Sequence, residues 1–174
     1  MAEDWREVGV VIVRRQLSGP WGGQEFLPGA ILAEPAVVAP WTLLRAEAEA
    51  EGESFYAGAV ALGFHAGETA HYRDNLESPR PQVWVQMRPT QGPDGDPRVE
   101  LVAATVDPYE AEAMADSGGD VLAAFAMPAA IAEALAAFFA THHVERAFFK
   151  RERKRADPDS LGRRGRVDRP AEEE

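Results

Sequence analysis

The chain has 174 residues, 45% of them apolar, which suits one domain built around a single core. It contains no cysteine, and this excludes disulfides, thiolate zinc sites, cysteine-ligated iron–sulfur clusters and cysteine nucleophiles. Its charge is split: residues 1–145 carry 8 Arg and Lys against 22 Asp and Glu, whereas residues 146–174 carry 10 against 7. The acidic body disfavours nucleic-acid binding, so only the basic end offers a phosphate-binding surface.

The first part of the chain predicts short strands joined by turns. Residues 8–13 form a β-branched run that is typical of a strand buried on both faces. A second strand over 26–32 is interrupted by Pro28 and Gly29, where we expect a bulge or bend. Sequential strands of this kind favour an antiparallel sheet. Further strands are predicted at 41–44, 54–57, 59–62, 83–87 and 99–102, with an exposed hairpin tip at 91–96.

Three helices are predicted, the first over residues 68–76. The second begins at Asp107, an N-cap acid followed by Pro108, and ends before two glycines. After a strand from residue 121, Pro128 begins a long C-terminal helix with an apolar face. The predicted fold class is therefore α+β, a mostly antiparallel sheet or partly closed barrel packed by the long C-terminal helix, with two shorter helices. The apolar face of the long helix comprises Ile131, Leu135, Phe138, Phe139 and His142.

The C-terminal end differs in composition from the rest of the chain. Beyond Phe149 the apolar periodicity gives way to Arg, Lys, Pro, Gly and Asp, which is typical of a disordered segment. We therefore predict a single α+β domain over 1–149 and a basic, disordered tail over 150–174. A basic cluster in that tail is a candidate surface for an acidic partner. Its members are Lys150, Arg151, Arg153, Lys154 and Arg155.

The location of the protein is predicted from its N-terminus and its hydropathy. The first residues are acidic, unlike a secretory signal, and no segment is apolar enough to span a membrane. We therefore expect a cytoplasmic protein.

Three groups of residues are candidates for binding. An arginine pair at a strand end can hold an anion or simply mark the end of the strand. Two tryptophans that each follow a proline either anchor the edge of the core or face a partner. Three polar residues of the first helix suit a recognition site or a solvated face. These candidates are Arg14, Arg15, Trp21, Trp41, Tyr72, Arg73 and Asn75.

The four histidines do not predict a metal site. His142 and His143 are adjacent, and adjacent helical side chains point about 100° apart, so the two cannot easily bind one metal ion. We favour a structural role, in which histidine in the last turn interacts with the helix dipole. His65 and His71 lie close to Glu68, but no third ligand is evident nearby in the sequence. Common catalytic motifs such as Gly-x-Ser-x-Gly, the phosphate loop and His-Glu-x-x-His are absent from the sequence. We therefore predict no metal, no cofactor and no catalytic residue, and favour a protein that is not an enzyme.

The order of several short motifs resembles the bacterial domain-of-unknown-function family 3305. The resemblance extends over about residues 7–155, and the joint order of the motifs is more specific than any one of them. In chain order they are Val8-Gly9-Val10-Val11-x-x-Arg14-Arg15, Pro20-Trp21, Pro40-Trp41-Thr42-Leu43-Leu44, Tyr56-Ala57-Gly58, Glu68-Thr69-x-x-Tyr72-Arg73-x-Asn75-Leu76, Pro108-Tyr109-Glu110-Ala111, Met127-Pro128 and His142-His143-Val144.

This resemblance implies a function by association, because members of that family tend to be encoded beside molybdenum- or tungsten-dependent formate dehydrogenase genes. We therefore expect an accessory protein that assists assembly or maturation of a molybdenum-dependent formate dehydrogenase by contacting a protein partner, such as one of its subunits. Two alternatives stay open. One is an enzyme or carrier acting on the molybdenum cofactor, with Arg14, Arg15 and Arg73 as anion ligands. The other is a regulatory binding module.

Overall fold

The computed structural model describes residues 2–20, 22–46, 52–116 and 118–145. One compact unit extends to Val144. The predicted domain end at residue 149 and the predicted tail, 150–174, lie outside the described residues. The elements in chain order are β1 Glu3–Leu17, β2 Gly23–Leu32, β3 Thr42–Arg45, β4 Glu53–His65, a 3-10 turn Ala66–Glu68, α1 Thr69–Leu76, β5 Gln82–Gln91, β6 Pro97–Thr105, α2 Pro108–Ala115, β7 Val121–Ala126 and α3 Ala129–His142.

All the strands described belong to one mixed sheet that curls into a nearly closed barrel. Their order is β2-β1-β4-β6-β5-β7, with β3 added to β4, and the two outer strands β2 and β7 approach each other. Every pairing is antiparallel except that of β4 with β6, which is parallel and joins a single pair of residues, Leu62 and Ala104. The predicted mostly antiparallel sheet or partly closed barrel is thus correct in outline, and the one parallel pair makes the sheet mixed.

The β-branched run in β1 has one covered face. Val8, Val10 and Ile12 are fully buried in the core, whereas Val11 and Val13 are only partly buried. Because successive side chains of a strand point to opposite faces, this pattern places one face toward the barrel interior. The expectation that both faces are well buried therefore holds for one face, whereas the other is buried at Gly9 and only partly buried at Val11 and Val13.

Glycines at two positions allow the strands to bend. In β2 the pairing with β1 shifts at Gly29, where a Cβ atom would lie 2.7 Å from the Val11 carbonyl oxygen. This confirms the bulge predicted at Pro28 and Gly29. The two strands predicted at 54–57 and 59–62 are one strand, β4, because Gly58 adopts a φ of 132° and absorbs a second shift of register.

The helices begin where their capping residues predict. The Asp107 side chain accepts hydrogen bonds from the backbone N–H groups of Tyr109 and Glu110, which fixes the start of α2. Pro128 is the N-cap of α3 rather than its first residue, and α3 has 14 residues and ends at His142. A longer C-terminal helix is thus not found among the described residues. No helix in these ranges is long and apolar enough to cross a membrane.

The core lies between the sheet and α3, which buries Ile131, Leu135 and Phe138. The Phe138 ring lies 5.8 Å from that of Phe64 on β4, and Phe64 lies 6.4 Å from Tyr72 on α1. The helical stripe predicted from the sequence therefore packs on the sheet as expected, although Phe139 and His142 are only partly buried.

Candidate functional site

Two of the predicted binding residues, Arg14 and Trp41, meet on one surface. The Arg14 guanidinium lies 4.5 Å from the centroid of the Phe55 ring, and the Trp41 ring lies 5.5 Å from the same ring. Arg98, which sequence analysis did not single out, also contacts Trp41, and its guanidinium lies 5.4 Å from the centroid of the Trp41 ring. We call these four residues, Arg14, Trp41, Phe55 and Arg98, the Trp41 cluster.

Acidic side chains hold both arginines of the Trp41 cluster. Arg98 Nε donates to Asp96 Oδ2 at 3.0 Å, and Arg14 Nη1 lies 3.4 Å from the same oxygen. Arg14 Nη2 donates to Glu53 Oε2 at 2.9 Å. The hydrogen bond from Arg98 lowers the pKa of the Asp96 carboxyl below its usual value. Because their charges are already compensated, the guanidinium groups act as flat surfaces beside the rings rather than as a site for a small anion.

Trp41 occupies a backbone conformation that is unusual for its type. Residues 39–42 form a turn closed by a hydrogen bond from Thr42 N to Ala39 O at 3.2 Å. Pro40 is the second residue of this turn and Trp41 is the third, and Trp41 has a φ of 68°. A left-handed φ after proline is typical of a type II turn, in which glycine is usual and another residue costs about 1 kcal/mol. The Trp41 N–H donates to the Tyr56 carbonyl at 2.5 Å, and its ring contacts those of Phe26 and Phe55. These contacts hold the turn in its strained form.

A shallow cleft of about 400 Å³ separates this turn from the hairpin tip between β5 and β6. Its lining residues include Pro40, Trp41, Gly58 and Arg98. The Arg98 and Asp96 side chains lie directly against Gly92 in the hairpin tip, so a Cβ atom there would displace them. The cleft is open and lies directly beside the Trp41 cluster.

Apolar side chains are exposed on β3 and on the loop before it. Leu43 and Leu44 are 46% and 47% exposed, and Leu44 lies at a shift of register where it has no partner residue in β4. Val37 and Val38 in the preceding loop are also exposed. Within the described ranges β3 pairs with β4 on one side only, so its other edge is open. We call this surface, Val37, Val38, Leu43 and Leu44, the β3 edge.

Tyr72 and Asn75 are buried in the packing of α1. The Tyr72 hydroxyl accepts a hydrogen bond from the His65 N–H at 2.9 Å, and burial raises the pKa of Tyr72 to about 12. The Asn75 amide donates to the carbonyls of Gln82 and Val106 and accepts from the Gln82 N–H. At 1% and 4% exposed, neither side chain forms part of an accessible recognition surface.

The other predicted binding residues do not join the Trp41 cluster. Arg15 pairs with Glu25 of β2 at 2.6 Å. Arg73 contacts the ring nitrogen of His143 and lies 5.7 Å from the Phe139 ring, so it belongs to the contact between α1 and α3. Trp21 and the tail residues Lys150, Arg151, Arg153, Lys154 and Arg155 lie outside the described residues.

A second cluster combines carboxylates with a histidine. His71 Nδ1 lies 2.7 Å from Asp107 Oδ2 and 3.1 Å from Glu68 Oε2, and the three ligand atoms lie within 4.8 Å of one another. Sequence analysis identified Glu68 and His71 but found no third ligand, because Asp107 is 36 residues further along the chain than His71. Only the packing of α2 against α1 brings the third group into place.

Comparison with known proteins gives one match. A family model described as Protein of unknown function (DUF3305) matches residues 7–154. Comparisons with curated proteins and with solved structures gave no match. The matched region contains the Trp41 cluster, the β3 edge and the carboxylate–histidine cluster, and it covers most of the sequence. The chain therefore belongs to the DUF3305 family.

Proposed function

We propose that this protein is a non-catalytic accessory protein that binds another protein through the β3 edge and the adjoining Trp41 cluster. The observation that carries this proposal is the exposure of two consecutive leucines, Leu43 and Leu44, on a strand whose outer edge is open within the described residues. Proteins usually shorten, charge or cover such edges, because an open apolar strand pairs readily with another chain. Here the edge lies beside a fixed aromatic and guanidinium surface of the kind that is common in protein interfaces.

The occupant we propose is an extended, basic segment of the partner. An extended segment adds backbone hydrogen bonds to an open strand edge, and its apolar side chains cover Leu43 and Leu44. The basic character follows from charge, because the sequence places Glu47, Glu49, Glu51 directly after β3 within an acidic body. The acidic charge of the body would speed association, and the apolar side chains would supply most of the affinity.

The partner we propose is a subunit of a molybdenum-dependent formate dehydrogenase, whose assembly or maturation the protein assists. The support for this partner is the family resemblance together with the exposed edge. The alternative role on the molybdenum cofactor has less support, because each of its three proposed ligands already contacts another side chain. Arg14 pairs with Glu53 and Asp96, Arg15 with Glu25, and Arg73 with His143.

The test uses the double variant Leu43→Asp/Leu44→Asp, with Val121→Asp as its matched control. Val121 lies on β7 and is 46% exposed, the same as Leu43, so it controls for the loss of an exposed apolar side chain. Each protein is returned to cells that lack it, formate dehydrogenase activity is measured, and binding to the purified enzyme subunit is titrated. We expect the double variant to weaken binding by about tenfold or more and to leave activity unrestored.

The outcomes separate the candidate functions. If the double variant and the control both restore full activity and bind the subunit as the natural protein does, the β3 edge is ruled out as the docking surface. Normal formate dehydrogenase activity in cells that lack the protein would rule out the accessory role and leave the regulatory binding module. Thermal unfolding of each variant shows that the fold is retained.

A further inference from the structure

We infer that Glu68, His71 and Asp107 form a binding site for a divalent transition-metal ion. The inference rests on a different part of the molecule from the β3 edge and does not depend on the proposed function. It concerns the cleft between α1 and the start of α2.

The spacing of the three groups suits ligands of one ion. The His71 nitrogen lies 2.7 Å and 3.1 Å from the two carboxylate oxygens. Ligand atoms that each lie about 2.0–2.2 Å from a common ion are themselves roughly 3 Å apart. Glu68 and His71 are three residues apart at the start of α1, and this spacing places both side chains on the same side of the helix.

Hydrogen bonding alone does not satisfy this arrangement. His71 Nδ1 carries at most one proton, and that proton can point at only one of the two carboxylate oxygens near it. The other carboxylate then receives no hydrogen bond from the ring nitrogen and lies close to a second negative charge. An ion between the three groups contacts all of them and neutralises both carboxylates.

Asp107 is held in the orientation that the site requires. Its side chain is 5% exposed, and Oδ1 accepts the Tyr109 N–H at 2.8 Å while Oδ2 faces His71. Thr105 fixes the backbone at Asp107, because its hydroxyl oxygen accepts the Asp107 N–H at 3.0 Å and its O–H donates to Glu110 at 2.6 Å. One oxygen therefore caps α2 while the other is free to act as a ligand.

The His71 ring is also restrained. It lies 4.5 Å from the Tyr109 ring, and the Tyr109 hydroxyl donates to Asp74 Oδ2 at 3.1 Å. That hydrogen bond holds the phenol beside the imidazole. Rigid ligands of this kind lose little conformational entropy when an ion binds.

The surrounding cleft favours a cation with open coordination positions. It has a volume of about 450 Å³, and among the described residues its lining includes three carboxylates and neither lysine nor arginine. One imidazole with two carboxylates suits ions such as Zn²⁺, Fe²⁺ or Mn²⁺. Three protein ligands leave the remaining positions to water or to a small anion in the cleft. The lining residues are His65, Glu68, His71, Asp107, Tyr109 and Glu110.

The test is a calorimetric titration of the full-length, chelator-treated protein with Zn²⁺, repeated with Co²⁺ while its visible absorption is recorded. The variants are His71→Gln and Asp107→Asn. Asparagine is also a good N-cap, so the second variant removes a charged ligand while it keeps the start of α2. His142→Gln is the matched control, because it removes one imidazole outside the cleft.

We expect one equivalent of metal to bind the natural protein, and each of the two site variants to weaken binding by about tenfold or more. The control should bind as the natural protein does, and Co²⁺ bound to the natural protein should show a ligand-field spectrum that His71→Gln alters. An absence of saturable binding, or equal affinity in His71→Gln and the natural protein, would overturn the inference. Thermal unfolding without metal shows whether Asp107→Asn stays folded; if it does not, His71→Gln decides the question, because His71 is partly exposed and caps no helix.

Discussion

The α1 side of the barrel and the β3 edge are built in opposite ways. Around α1 the buried polar groups are paired, as with the Tyr72 hydroxyl and the three hydrogen bonds of the Asn75 amide. At the β3 edge, Leu43 and Leu44 are exposed and Trp41 adopts a strained backbone conformation. The α1 side thus follows the rule that buried polar groups are hydrogen-bonded, whereas the β3 edge has exposed apolar side chains and a strained residue. Stability and partner binding are therefore expected to depend on different residues.

The largest expected effect is on the core beside α1. Phe138→Ala should lower the free energy of unfolding by about 3–5 kcal/mol, because the removed ring packs against Phe64 in the buried core. Leu44→Ala on the β3 edge should change it by less than about 0.5 kcal/mol. Both values come from urea denaturation. Equal losses in the two variants would remove the distinction between the two regions.

A smaller effect is expected from the buried amide that ties α1 to the sheet. Asn75→Ala should lower the free energy of unfolding by about 2–3 kcal/mol, because it leaves two buried carbonyls and one N–H of the backbone without their partner. Glu77→Ala, on the exposed end of the same helix, is the control. A loss below about 1 kcal/mol for Asn75→Ala would mean that water replaces the amide and that this side is less tightly built than we infer.

The smallest effect isolates the strain at Trp41. Both Trp41→Gly and Trp41→Ala lose the ring contacts, so their difference reports the backbone alone. At a φ of 68° the glycine variant should be more stable than the alanine variant by about 1 kcal/mol, the reverse of the order found at ordinary strand positions. If alanine is the more stable, the turn is not strained and the contrast with the α1 side weakens. Paired denaturation curves give the answer.

Local features of the fold could be predicted from the sequence, because their causes lie within a few residues. The Asp107 and Pro108 pair predicted the start of α2, and Pro28 with Gly29 predicted the bulge in β2. The apolar stripe of α3 likewise predicted its buried face. In each case the residues that determine the feature lie close together in the sequence, so their pattern can be read without knowledge of the fold.

Contacts between distant segments could not be predicted in this way. Arg98 covers Trp41, and Asp107 reaches His71, only because of the order of the strands and the packing of α1 against α2. No local pattern specifies that β6 lies beside β4. The polar character of α1 was correctly recognised, but Asn75 faces inward toward backbone groups that the sequence gives no means to identify.

The single parallel pair between β4 and β6 has a consequence for motion. On one side of that pair lie β1 to β4 and on the other lie β5 to β7, so the barrel consists of two antiparallel half-shells joined at Leu62 and Ala104. Among the strands that pair, β4 and β6 share the shortest ladder, and local opening is expected to begin along this line. Trp41 belongs to one half-shell and Arg98 to the other. A partner that covers both side chains would therefore hold the half-shells in one relative position, and its affinity would depend on that position.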